Sequence, residues 1–188
     1  AHAQATIALC EIYGMTRDQG LKRYAQAAVR FAEEWQDPDQ GGWRYMPRND
    51  SDLSVTGWYV MALTSAKMAG LSTNPEVLIR ANKYLDRVDS PDGSLYYYVD
   101  YAVPERDEFD GEDIEVDLAM TAEGTLCRMY LGWPGTDHRL RRGAGILAQH
   151  PISIDIDDRN YYYWYYCTQT MHHLGGGLWD GWNNVMRE

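Results

Sequence analysis

Apolar residues recur at helical spacing along the chain, and they do so in segments of two kinds. In the first kind nearly every position is apolar. In the second kind the apolar positions fall on one face, as in the stretch from Arg17 to Gln36. The two kinds alternate, which predicts repeated helical hairpins that pair a buried helix with a half-exposed one.

Glycines and capping residues predict where these helices begin and end. The apolar segments stop at four glycines, Gly14, Gly70, Gly132 and Gly175. Thr16 and Ser54 are expected to cap the helices that follow them. The predicted helices are Ala3 to Tyr13, Arg17 to Gln36, Ser54 to Gly70, Pro75 to Val88, Asp117 to Leu131, Asp137 to Gln149, Asn160 to Leu174, and a last one that starts near Trp179.

Composition narrows the class of protein. The 188 residues are 45% hydrophobic and 24% charged, as in one globular domain. A net charge of −11 argues against a general nucleic-acid surface, and no apolar run approaches the roughly 18 residues of a membrane span. Three cysteines are too few and odd in number for a disulfide scaffold, and no CxxC pair indicates zinc. No sequence signal indicates a cellular compartment.

The chain has fifteen Tyr and seven Trp but only two Phe. This aromatic composition favours a cavity wall or a wet interface, and the alternative is a Tyr-rich core.

One motif makes the repeat more specific. The segment Phe31-(x4)-Gln36-(x4)-Gly41-Gly42-Trp43 resembles the QW repeat of the squalene and oxidosqualene cyclases. Segments 52–58, 120–124, 130–133 and 161–169 continue the likeness. Together they resemble the bacterial prenyltransferase/squalene-oxidase repeat proteins of the terpenoid cyclase and protein prenyltransferase superfamily.

This resemblance implies an all-α fold, an α/α toroid of repeated helical hairpins in which inner helices line a central cavity. A complete ring of this kind has about six hairpins, and the chain supplies about three and a half. We therefore expect residues 1–188 to form a single toroid domain. That domain would be a fragment of a longer toroid, or a partial ring completed by a second copy as a homodimer.

The run Asp155-Ile156-Asp157-Asp158 is the candidate catalytic motif. It resembles the DxDD motif of class II terpene cyclases, which implies that Asp157 protonates an alkene or epoxide while Asp155 and Asp158 tune its acidity. Crowded carboxyl groups cannot all ionise cheaply, so one can remain protonated and act as an acid. The alternative is an acidic helix start. Arg159, which stands where the family has Thr, favours that alternative because it stabilises carboxylates.

Aromatic and acidic side chains of the apolar segments are the candidates for substrate binding. The resemblance implies an apolar small-molecule ligand such as an isoprenoid, and aromatic π faces would stabilise a developing carbocation. The candidate residues are Trp58, Tyr59, Asp117, Glu123, Tyr162, Tyr163, Trp164 and Tyr166.

Two positions depart from the chemistry of the resembled families. The segment that begins at Asp117 is similar to the DCTAE segment of oxidosqualene cyclases, but Ala119 occupies the position of the proton donor. Protein prenyltransferases bind zinc through an Asp-x-Cys pair and a His, and here Ala119 and Tyr163 replace the Cys and the His. No metal or other cofactor is therefore expected.

Three functions remain open from the sequence. The first is a class II terpene cyclase-like isomerase or lyase acting on an isoprenoid. The second is a non-catalytic toroid module that binds a protein or another ligand. The third is a toroidal polysaccharide lyase or glycosidase, for which Tyr and Trp would serve as sugar platforms, although no motif supplies its base and cation site.

Overall fold

A computed structural model describes residues 1–100, 116–153 and 159–187, and these residues form eight helices and no named strand. The helices are α1 (His2–Thr16), α2 (Gln19–Trp35), α3 (Leu53–Met68), α4 (Pro75–Leu85), α5 (Leu118–Tyr130), α6 (His138–Leu147), α7 (Tyr161–Leu174) and α8 (Gly176–Met186). The prediction of an all-α protein is confirmed.

The chain divides into two compact units, Ala1–Arg87 and Val88–Glu188. In the first unit α1 packs against α2 and α3, and α3 also contacts α2 and α4. In the second unit α5 packs against α6 and α7, and α7 also contacts α6 and α8. Each unit is thus a pair of hairpins with the same internal contacts. We call α1, α3, α5 and α7 the first helices of the hairpins, and α2, α4, α6 and α8 the second helices.

The second helices share an apolar stripe at positions i, i+4 and i+7. In α2, α4 and α6 all three positions of the stripe are buried. The first helices α1 and α3 are mostly apolar, as the alternating pattern predicts, although Gln4 and Glu11 are exposed polar residues of α1. The stripes are Ala25, Val29 and Ala32 in α2; Val77, Ala81 and Tyr84 in α4; Leu140, Ala144 and Leu147 in α6; and Leu178, Trp182 and Val185 in α8.

The loop between the hairpins of the first unit is fastened to the start of α3. The backbone N–H of Trp43 donates to Oγ1 of Thr56 at 3.0 Å, and the N–H of Asp52 donates to the Trp43 carbonyl at 3.1 Å. Asp52 also caps α3, because its side chain accepts from the N–H of Val55 at 2.8 Å. We call this arrangement of a loop aromatic residue, a capping Asp and a Thr one turn into the helix the aromatic latch.

The second unit contains an aromatic latch of the same design at the start of α5. The N–H of Tyr96 donates to Oγ1 of Thr121 at 3.1 Å, and the N–H of Asp117 donates to the Tyr96 carbonyl at 3.2 Å. Asp117 caps α5 by accepting from the N–H of Met120 at 2.8 Å. The latch therefore fixes the start of one first helix in each unit.

The Gln and Trp of the QW-like motif stabilise the loop of the first unit. The side-chain amide of Gln36 donates to the carbonyls of Gly41 and Val77, both at 2.8 Å. The indole N–H of Trp43 donates to the carbonyl of Ala32 near the end of α2, also at 2.8 Å. These buried bonds tie the loop to the end of α2 and to the start of α4, so both side chains have a structural role.

Gly14 does not end the first helix, contrary to the prediction. Helix α1 continues to Thr16, and the left-handed residue after it is Arg17, with φ at 55° and its N–H bonded to the Tyr13 carbonyl. A Cβ at Gly14 would lie 3.3 Å from that of Ala69, next to the end of α3. The glycine therefore allows two first helices to approach closely.

Other predicted helix starts are displaced by a few residues. Asp18, not Thr16, caps α2. Asp52, not Ser54, caps α3, and the Ser54 hydroxyl donates to the Asp52 carboxylate. Helix α8 begins at Gly176, earlier than predicted. In the first two cases a carboxylate caps the helix in place of a nearby hydroxyl, and both residue types are good N-caps.

Gly124→Ala should destabilise the protein, because a Cβ at this position would lie 2.5 Å from the ring of Tyr96. Such overpacking costs about 1–3 kcal/mol. The matched control is Gly145→Ala in α6, where nothing lies within 4 Å and a helical Ala gains about 0.5–1 kcal/mol. Urea unfolding followed by circular dichroism measures both, and equal effects would contradict the close packing of Tyr96 on α5.

Candidate functional site

Helices α5 and α7 bring together three of the predicted substrate-binding residues. The hydroxyl of Tyr162 donates to Oε2 of Glu123 at 2.8 Å, and the rings of Tyr162 and Tyr166 meet at 4.9 Å with an interplanar angle of 62°. The Thr170 hydroxyl donates to the Ala122 carbonyl at 2.8 Å and so connects the two helices. We call Glu123, Tyr162 and Tyr166 the carboxylate–phenol cluster.

The position of Glu123 in α5 explains why a carboxyl group is enclosed there. Ten consecutive residues, 119–128, are buried, so α5 is covered on every side. Asp117 sets the start of the helix, which places Glu123 in its second turn. Burial of a carboxyl group is costly unless hydrogen bonds replace water, and Tyr162 supplies one of these bonds.

The neighbours of Glu123 are neutral donors at physiological pH. Burial, and next the charge of Glu123, raise the pKa of the Tyr166 phenol above its ordinary value. The same two causes, in the same order, raise the pKa of the Cys127 thiol, one helical turn beyond Glu123. A fully buried carboxyl group in this position holds the Tyr162 phenol through a hydrogen bond and so orients the aromatic rings of α7.

The side chains of Tyr163 and Trp164 make different contacts and do not belong to the carboxylate–phenol cluster. The Tyr163 hydroxyl donates to the carbonyls of Leu147 and His150, at 3.0 and 2.8 Å, and so stabilises the end of α6. Trp164 is half-buried, and its ring meets that of Tyr161 edge-on at 5.0 Å. Tyr163 therefore has a structural role, whereas Trp164 remains a candidate for ligand contact.

The remaining predicted binding residues lie in α3 and at the start of α5. Tyr59 is buried in the first unit and stacks on Trp43 at 5.1 Å, and Trp58 beside it is half-buried. Asp117 is the N-cap of α5 and accepts from the N–H of Met120. Asp117 therefore has a structural role as a helix cap.

The proposed catalytic residues Asp155, Asp157 and Asp158 lie outside the described residues, so their role stays a prediction. Across the described ranges, no set of three His, Cys, Asp or Glu side chains is grouped closely enough to hold a metal ion. In the same part of the chain, no helix has the length and apolar character needed to cross a membrane.

Arg128 is a buried charged residue that the sequence analysis does not single out, and its contacts are structural. It is fully buried in α5, with its guanidinium 3.1 Å from Asp89, 3.1 Å from the Tyr96 hydroxyl and 4.5 Å from the Trp133 ring centroid. A buried Arg requires such partners. The available signal was an Arg within a largely apolar helix that also contains Glu123, preceded in the chain by an Asp-containing loop. These contacts tie the loop and the end of α5 together.

The fold and this site define an all-α protein of paired helical hairpins with a buried carboxylate–phenol cluster. Comparison of the chain with family models, with curated protein sequences and with solved structures found no match. The likeness to cyclases and prenyltransferases accordingly rests on the sequence motifs.

Tyr162→Phe should lower the free energy of unfolding by about 1–3 kcal/mol, since it removes a hydrogen bond to a buried carboxyl group. Tyr161→Phe is the matched control, because Tyr161 precedes it on α7 and is 66% exposed. We expect the control to change stability by less than about 0.5 kcal/mol. Chemical denaturation measures both variants. Equal effects would show that the bond to Glu123 contributes nothing.

Proposed function

We propose that the chain belongs to a squalene cyclase-like α/α toroid whose inner helices bind an isoprenoid or a similar apolar ligand. In this proposal the first helices of the hairpins are the inner helices. The observation that carries the proposal is the carboxylate–phenol cluster, a carboxyl group enclosed between two apolar helices and flanked by aromatic rings.

The aromatic side chains around the cluster favour the binding of an apolar ligand that contains double bonds. Tyr161 and Trp164 pair at the start of α7, and Tyr165 meets Tyr166 edge-on at 5.1 Å. Rings of this kind bury the methyl and methylene groups of an isoprenoid, and their faces attract positive charge that develops on it. Glu123 is fully buried and accepts from the Tyr162 hydroxyl, so it would hold the aromatic wall in position rather than contact the ligand.

Catalysis is the finer form of this proposal. Asp157 would protonate an alkene or epoxide of the ligand, with Asp155 and Asp158 adjusting its acidity. The aromatic rings of α7 would stabilise the carbocation that follows. With an alkene, the electrons of the double bond would form the new C–H bond with the proton of the Asp157 carboxyl group. With an epoxide, the oxygen would take that proton as a C–O bond breaks. In both cases the final cation would lose a proton, which restores the Asp157 carboxyl group.

A non-catalytic binding module is the second candidate, and a specific observation favours it. Ala119 stands where the oxidosqualene cyclases carry their proton donor, and it is buried in α5. An alanine side chain cannot donate a proton, so chemistry of that type would be absent. Loss of an acid would leave the aromatic wall able to bind a ligand without converting it.

Ligand binding is tested with squalene and geranylgeraniol, each presented from cyclodextrin and detected by native mass spectrometry and intrinsic fluorescence. We expect an adduct of one molecule per site. Trp164→Ala should weaken it about tenfold through loss of aromatic contact area. Trp35→Ala, which removes another half-buried Trp from α2, is the control and should bind as the wild type. Absence of an adduct with both probes would refute the proposal.

Turnover separates the two candidates. We expect a class II cyclase to convert squalene to cyclic products detectable by gas chromatography with mass spectrometry, and Asp157→Asn to abolish them. An adduct without product identifies a binding module. Product formation that is unchanged in Asp157→Asn removes Asp157 from the mechanism.

A further inference from the structure

The first unit contains a surface pocket that the proposed function does not use. It lies between the end of α2 and the loop that follows Trp43, and its volume is about 400 Å³. Small-molecule sites range from about 300 to 1,000 Å³. Five residues line the pocket, and they are Phe31, Glu34, Trp35, Pro47 and Arg48.

Apolar rings form one part of the pocket wall. Phe31 and Trp35 are one turn apart on α2, and their ring centroids lie 4.5 Å from each other at an interplanar angle of 40°. Pro47 contributes a third apolar ring from the loop. The backbone N–H of Arg48 donates to the Trp35 carbonyl at 3.1 Å and so fastens the loop to the end of the helix. The wall is thus built from two elements that a hydrogen bond holds together.

Two exposed side chains of opposite charge line the same pocket. Glu34 comes from α2 and Arg48 from the loop. Within the described residues, neither side chain forms a hydrogen bond or an ion pair, with the other or with any neighbour. A carboxylate only accepts hydrogen bonds, and a guanidinium only donates them. The pocket therefore offers both kinds of polar group beside its apolar rings.

The backbone of Arg48 gives independent evidence that its side chain serves a ligand. Its φ is 57°, a left-handed conformation that glycine adopts more readily than a residue with a Cβ. Arg17 has the same conformation, with φ at 55°, but its guanidinium donates to the carbonyl of Ala69. Arg48 has the unfavourable backbone without such a bond, and unfavourable conformations of this kind are concentrated at functional sites.

We propose that this pocket binds a neutral saccharide. The apolar C–H groups on one face of a sugar ring pack on Phe31 and Trp35. Sugar hydroxyls both donate and accept hydrogen bonds, so one ligand satisfies the guanidinium of Arg48 and the carboxylate of Glu34 together. An anionic ligand would meet that carboxylate and a net protein charge of −11, and a cationic ligand would meet the guanidinium.

NMR titration of the isotope-labelled whole chain with maltotriose, cellotriose and triacetylchitotriose tests the proposal. With each sugar raised to about 10 mM, we expect at least one to bind with a dissociation constant of about 1 mM or below. Binding should shift the signals of the Trp35 indole N–H and the Arg48 amide. The affinity should be the same at two salt concentrations, because the ligand is uncharged.

Arg48→Gly separates a binding role from a structural one. Glycine adopts the left-handed conformation readily, so this variant should unfold at no lower urea concentration than the wild type. It should nevertheless bind the saccharide at least about tenfold more weakly. Trp35→Ala should weaken binding by a similar factor, and circular dichroism checks that it folds. Trp164→Ala in the second unit is the control and should bind the saccharide as the wild type does.

Three results would overturn the proposal. One is the absence of binding by all three oligosaccharides. Another is saccharide binding that Arg48→Gly leaves unchanged. The third is free tyrosine that binds the pocket more tightly than the oligosaccharides, with an affinity that falls as salt rises, because a zwitterion would pair with both charged groups. Isoprenoid binding in the second unit is measured with other probes, so its success or failure is independent of this outcome.

Discussion

Both units depend on the same small set of hydrogen bonds at the start of a first helix. In the first unit, the amide of Trp43 donates to the hydroxyl of Thr56 within the core. The amide of Asp52, which caps the helix, donates to the Trp43 carbonyl. A buried amide that lost such a partner would cost about 1–3 kcal/mol. The latch thereby fixes where the helix begins.

That constraint extends to the candidate site. Because Asp117 and Thr121 fix the start of α5 against Tyr96, Glu123 enters the fully buried part of the helix, where the hydroxyl of Tyr162 from α7 reaches it. The adjacent Gly124 leaves room for the Tyr96 ring. The second latch, the carboxylate of Glu123 and the packing of the Tyr96 ring on Gly124 therefore follow one another along α5.

Hydrophobic periodicity predicted the order and type of the helices well. It works because burial of one face or of all faces is the main term that places a helix. The ends were less predictable. Gly14 has the residue type of a helix stop, yet it serves the close approach of α1 to Ala69, while Arg17 takes the left-handed position. Sequence alone does not distinguish these two uses of glycine.

The candidate site was predictable in its residue types but not in its grouping. A run of tyrosines at the start of α7 signals an aromatic surface, but only packing decides that Tyr162 binds Glu123 while Tyr163 binds carbonyls of the α6 end. The burial of Arg128 could not be predicted, because its partner Asp89 lies 39 residues away in the chain. Long-range pairing of this kind depends on the tertiary fold.

Hydrogen exchange of backbone amides tests most directly whether the latches organise the protein. Trp43 and Tyr96 lie in loops, where amides ordinarily exchange fast, but their N–H groups are bound within the core. The account predicts that both amides exchange as slowly as those of buried α5, and far more slowly than that of exposed Asn49 in the same loop as Trp43. Exchange of Trp43 and Tyr96 at the rate of Asn49 would contradict it.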